Sequence, residues 1–200
     1  YPMHLSPLLA ATHVAGATLF TPGQPASTAL ERLAEDGNAL PLQQALRATA
    51  GFGDVRIVAA DPMGPGTSVE FTVTMSPQNR YLSLAAMVMP SNDTFLALGP
   101  GGVELVDAQG NDRLDSQIAA DVATKLAAWD AGTERDQAGA AGPHQALRQP
   151  AANTGLPEGP SVVRALNDPV WRYPTLDEVI RVRVQPVSID NRIYLPFVRR

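Results

Sequence analysis

Arg80-Tyr81-Leu82-Ser83-Leu84-Ala85-Ala86-Met87-Val88-Met89 decides the fold. Its apolar residues fall on both sides of a two-residue repeat, and Pro90 ends it. That pattern predicts a central strand covered on both faces. Shorter strands are expected around it. Val55, Ile57 and Ala59 carry an apolar stripe interrupted by Arg56, and Val69, Phe71 and Val73 alternate with Glu70, Thr72 and Thr74 as in a half-buried strand. Residues 94–98 and 103–106 are two more short strands, joined by Gly99-Pro100-Gly101-Gly102. Asp107-Ala108-Gln109-Gly110-Asn111 closes the run as a hairpin turn, since the acidic residues near it lack the twelfth-position glutamate of an EF-hand.

Helical signals lie mainly before this region. Ser27 to Asp36 carries an apolar stripe of Leu30, Leu33 and Ala34. Thr28 and Glu31 have capping-box spacing, and Gly37 stands at the C-terminal stop. Pro41 to Ala48 is a second short helix, with Leu42, Ala45 and Leu46 on its apolar face. Residues 114–129 fit two templates: Ile118, Val122 and Leu126 have helical spacing, whereas Leu126-Ala127-Ala128-Trp129 also reads as a strand end. Residues 132–160 form a long Gly-, Ala-, Pro- and Gln-rich loop. Residues 179–184 alternate again, and 193–198 form an apolar piece broken by Pro196.

Composition narrows the function. The chain has 200 residues, 44% of them hydrophobic and 18% charged, so it can bury a core without staples. A formal net charge of -5 and the absence of any run of four Lys/Arg argue against a nucleic-acid partner. Cys 0 excludes disulfides, zinc-thiolate centres and thiol chemistry. No apolar run reaches the length of a membrane span. The chain opens on Tyr1 rather than Met, as expected of a processed or trimmed protein.

Signatures of serine hydrolases, zinc proteases, P-loops and dinucleotide folds are absent from the sequence. His4, His13 and His144 are scattered and are expected to face solvent. Trp129 and Trp171 are expected in packing roles. Two carboxylates stand out. Asp93 follows the central strand in Pro90-Ser91-Asn92-Asp93-Thr94, and Asp130 precedes Ala131-Gly132-Thr133-Glu134. Both sit at element ends beside small residues, where carboxylates and carbonyls can gather round a calcium ion. Asp is equally a turn former, which keeps a purely structural role open. Asn92-Asp93-Thr94 has the form of a glycosylation acceptor, relevant only in a eukaryotic secretory route.

The ordered segments resemble the spondin N-terminal domain family, most closely its bacterial members. Residues 19–27 followed by 30–37 look like the family's early helix and its lead-in. Residues 80–95 look like its central strand and loop, in which Asp93 matches the aspartate of an animal Ser-Pro-Asp-Trp motif. Trp129-Asp130-Ala131-Gly132-Thr133-Glu134 is similar to the family's Tyr/Trp-Asp-Ala-Gly-Thr-Asp/Glu motif, and Ala152-Asn153-Thr154-Gly155 follows in order. The animal cysteines are missing, and Asn92 to Phe95 replaces Pro-Asp-Trp.

The resemblance implies a mainly β, antiparallel β-sandwich of about eight strands with one or two short helices near the N-terminus. It implies that residues 1–200 form a single spondin-type domain with its core at about 5–186, a long loop at 135–160 and a tail or edge strand at 187–200. It implies Ca2+ as the bound ion, with Asp93, Asp130 and Glu134 as ligands. It implies a secreted, periplasmic or cell-surface recognition or adhesion module, non-enzymatic, that meets an extracellular protein or glycan. The alternatives are a metal-assisted hydrolase using the same carboxylates and a structural surface domain without metal.

Overall fold

A computed structural model describes residues 3–59, 61–139, 141–166 and 180–184. Strands β1 (His4–Leu5), β2 (Leu8–His13) and β3 (Phe52–Ala59) precede the long β4 (Tyr81–Met89). β5 (Thr94–Leu98), β6 (Val103–Glu104), β7 (Leu126–Asp130) and β8 (Arg164–Ala165) follow. The eight strands pair antiparallel in one open sheet of order β3-β2-β4-β5-β7-β8, and β1 and β6 also pair with β4. The expected mainly β class holds, with eight strands among the described residues.

β4 is central because it is apolar on both faces. Ala85 packs into one cluster with Leu30, Leu33, Leu42 and Phe95. Leu82, Leu84, Ala86 and Val88 pack into another with Leu96, Leu98, Ile118 and Val122. The first face is covered by α1 (Thr28–Asp36) and α2 (Leu40–Ala48), the second by α3 (Asp115–Lys125). Each buried Leu or Phe contributes about 1.5–3 kcal/mol of transfer free energy, so the double covering matters more than intrinsic strand preference.

Several expectations need correction. The cap of α1 is Ser27 rather than Thr28: the Ser27 hydroxyl accepts the Leu30 amide at 3.2 Å, and Thr28 is already helical. Gly37 closes the helix in the left-handed region, with φ 67. α2 starts one residue early, at Leu40, and Ala45 is exposed. Residues 114–129 satisfy both templates in succession, since α3 runs directly into β7. Residues 69–73 are not a strand. Phe71 and Val73 turn inward, but Asp54 Oδ2 accepts the Thr74 amide and Arg56 donates to the Thr72 carbonyl. Side chains of β3 thus take the place of a backbone ladder. Residues 180–184 keep the predicted alternation of burial without a ladder. Trp171 and the apolar piece at 193–198 lie outside the described residues.

His13 is fully buried rather than solvent-facing. It stacks on Tyr81 at 5.8 Å and meets Phe52 at 5.5 Å. Its Nδ1 donates to the Val14 carbonyl at 3.0 Å, leaving Nε2 to accept the Ser83 hydroxyl at 2.9 Å. Gly102 closes over this pair: a Cβ there would lie 2.8 Å from both His13 Nε2 and Ser83 Oγ. Burial holds the imidazole pKa below its ordinary value, against the partly compensating Val14 bond.

Candidate metal centre

The site forms where the β4–β5 turn meets the end of β7. Pro90 cannot extend the ladder of β4. Ser91 then shapes the turn, its hydroxyl donating to the Val88 carbonyl at 2.6 Å and accepting the Thr94 amide at 3.2 Å. The β5–β7 register sets Thr94 opposite Asp130, and the Asp93 carbonyl accepts the Ala131 amide at 3.1 Å. Asp93 and Asp130 are therefore brought together by strand pairing. Asn92 anchors the turn from beneath: its Oδ1 accepts the Gln137 amide at 2.9 Å and the Gln145 side chain at 3.3 Å. With Asn92 only 1% exposed, a glycan has no access to it.

Three carboxylates converge: Asp93, Asp130 and Glu158 each present an oxygen within 4.8 Å of the others. Asp93 is fully buried. Its Oδ2 accepts the Thr133 amide at 2.7 Å, the Glu134 amide at 3.1 Å and the Thr133 hydroxyl at 3.2 Å. Its Oδ1 has no hydrogen-bond partner. Burial first, and then the charge of Asp130, push the Asp93 pKa up to about 7 against those amide bonds. Burial also raises Asp130, opposed by the Gly132 amide, 2.6 Å from Oδ1, and by Arg164. Arg164 Nη2 lies 2.6 Å from Asp130 Oδ2 and 2.7 Å from Glu158 Oε1. Glu158 Oε2 is buried without a partner. A buried carboxylate oxygen left without a donor is costly, and a cation is one way to satisfy it.

Gly132 makes this geometry accessible. It adopts φ +67, and a Cβ there would run into the Val162 backbone. The segment bearing Arg164 thus packs directly on the turn that follows Asp130.

Among the predicted ligands, Asp93 and Asp130 are brought together, whereas Glu134 is not in this group. The Glu134 backbone serves Asp93, and its side chain turns to the far side of the turn. It is 2% exposed, neither oxygen has a hydrogen-bond partner, and it lies against the backbone of Gly155. Burial and then the charge of Glu35 push its pKa up to about 7, with Asn92 offsetting part of this. Glu35 is itself raised by burial, with the Thr133 side chain opposing. Glu158 escaped sequence reasoning: it sits in Leu156-Pro157-Glu158-Gly159-Pro160, whose turn residues disclose a bend but not which strand end it approaches.

A family model for the spondin N-terminal domain (Spondin_N) matches residues 1–150. The chain belongs to the spondin N-terminal domain family. No curated protein matches it. The spondin match takes in Asp93, Asp130 and Glu134 and stops short of Glu158 and Arg164. Among the described residues, no helix is long and apolar enough to cross a membrane.

The shifted acids predict an inverted pH dependence in the presence of chelator. The folded protein holds protons on Asp93 and Glu134 that the unfolded chain releases at 3.8 and 4.5. Their contribution to stability is therefore present at low pH and is lost as pH rises towards about 7. His13 works the other way, adding stability as pH rises towards its unfolded value of 6.5. Thermal melts of Glu134→Gln in chelator between pH 4.5 and 8 should show a shallower loss of stability than the parent as pH rises towards about 7; an unchanged profile would show that Glu134 is not held protonated.

Proposed function

We propose that this spondin domain is a non-enzymatic, calcium-binding recognition module of an extracellular protein. The observation carrying this reading is Asp93: a fully buried carboxylate with one oxygen unsatisfied, inside a group of three acids. Oxygen-only donors suit a hard cation such as calcium. Asp93, Asp130 and Glu158 would hold it, and it would supply the positive charge that these buried oxygens need. The ion would clasp the β4–β5 turn, the end of β7 and the Glu158 loop, stiffening the end of the sheet offered to a protein or glycan partner.

Binding rather than catalysis is supported by the donor set: among the described residues, no histidine joins the three carboxylates. The Ser83–His13 pair has nucleophile–base spacing but lies buried under Gly102 and serves packing.

The test is calcium titration of the metal-stripped protein by calorimetry, with thermal melts alongside. A hundredfold excess of calcium over its dissociation constant should stabilise the fold by about 2.7 kcal/mol. For a chain of this size that raises the midpoint by roughly 5–11 °C. No heat of binding and superimposable melts in calcium and chelator would rule the metal reading out.

A further inference from the structure

We propose that Arg164 is a tethered counter-ion that competes with the metal for Asp130, so that loading the site is an exchange of a guanidinium for a divalent cation. This rests on the calcium reading above and goes beyond it by naming what sets the affinity.

The three carboxylates are not equally ready to ligate. Asp93 Oδ1 and Glu158 Oε2 are buried with no hydrogen-bond partner. Both oxygens of Asp130 are engaged, Oδ1 by the Gly132 amide at 2.6 Å and Oδ2 by Arg164 Nη2 at 2.6 Å. The amide is fixed in the backbone of the turn. The guanidinium is at the end of a long side chain, 38% exposed, with room to swing outward. Arg164 is therefore the movable partner of the third ligand.

Electrostatics gives the exchange its direction. The guanidinium is the positive group already placed among these acids: burial opposes its charge, but Glu158, Asp130 and Asp93 together raise its pKa. A dication entering beside Asp130 would meet it at close range in a desolvated site, where like charges repel strongly. Two cations are not held on one buried carboxylate oxygen without that penalty, so the bond from Arg164 to Asp130 gives way.

The exchange also reaches the sheet edge. Arg164 is half of the two-residue β8 and stands opposite Asp130 in the β7–β8 register, with Ala165 opposite Trp129. Release of the side chain removes the charged clamp from β8 while leaving its backbone bonds.

The experiment is calcium calorimetry on the full chain as wild type, Arg164→Gln and Arg164→Lys, with circular dichroism to establish folding. Only metal-binding states free of the guanidinium are competent in wild type, so Arg164→Gln should bind calcium about tenfold more tightly. Arg164→Lys, which keeps a charge but not the planar fork, should fall between. Its midpoint in chelator should drop for Arg164→Gln, because Asp130 loses its cation. A purely structural arginine predicts the opposite sign, weaker calcium binding with a distorted site. Wild-type binding with equal or weaker binding by both variants overturns the exchange and leaves the calcium reading standing. Binding by Arg164→Gln alone supports it, and binding by no protein overturns both. As a check free of mutation, the Arg164 Nε–H resonance of wild type should shift on calcium addition; an unmoved resonance at saturation overturns the exchange.

Discussion

Replacing Gly132 with alanine is expected to lower the unfolding midpoint by roughly 8–16 °C, equivalent to about 4 kcal/mol. Two penalties combine. The first is conformational: Gly132 sits at φ +67, a region that costs an L-residue about 1–2 kcal/mol. The second is steric and larger. The added Cβ would overlap the Val162 carbonyl and lie 2.8 Å from its nitrogen, and a backbone cannot swing aside as a side chain can. Relief requires the 162–165 segment to move away from β7. Val163 is fully buried, and its amide donates to the Gln24 carbonyl at 2.9 Å, so that movement also opens the first core cluster. Asp130 loses its Gly132 bond and its Arg164 pair at the same time. Differential scanning calorimetry measures the shift, and calcium calorimetry on the same sample should show binding lost. A midpoint within about 2 °C of the parent would mean that the turn accommodates a side chain, against the close approach described.

Asp130→Ala is expected to abolish calcium-induced stabilisation while leaving a folded protein. In chelator the loss is smaller, about 2 kcal/mol, because one amide bond and one charged pair go but repulsion on Asp93 is relieved. Asp93 should then titrate lower, since the Asp130 charge is the largest contribution after burial to its raised pKa. The deciding measurement is the difference between melts in calcium and in chelator. It should be several degrees in the parent and near zero in the variant. A full calcium response in Asp130→Ala would place the ion elsewhere.

Much of this architecture is written in local patterns. β4 is legible because ten consecutive residues allow no polar face, and β5 because Thr94 to Leu98 is bounded by Asp93 and Gly99. The Asp107 turn is legible because its carboxylate bonds the amides of Gln109 and Asn111. The failures have a common physical origin. Residues 69–73 carry strand alternation, but their fate depends on Asp54 and Arg56 across the sheet edge. His13 is polar by type, yet Ser83 and the Val14 carbonyl satisfy it inside the core. Glu158 and Arg164 join the site through packing against Gly132, a contact with no sequence period. The family motifs reveal Asp93 and Asp130. They do not reveal that the Glu134 side chain turns towards Glu35, since both outcomes fit the same six residues.

The chain order of the site has a consequence for synthesis. Asp93 and Asp130 are neighbours through the β5–β7 pairing, and both precede Glu158 and Arg164. A growing chain that has emerged only as far as residue 153 can dock β7 on β5 with two acids face to face and no guanidinium from Arg164 to quiet them. During that interval a soluble dication, or protonation of Asp93, is the remedy within reach. The stretch that emerges later brings Glu158 and the tethered Arg164, so the order of emergence gives a free ion the first opportunity to serve and the arginine the second.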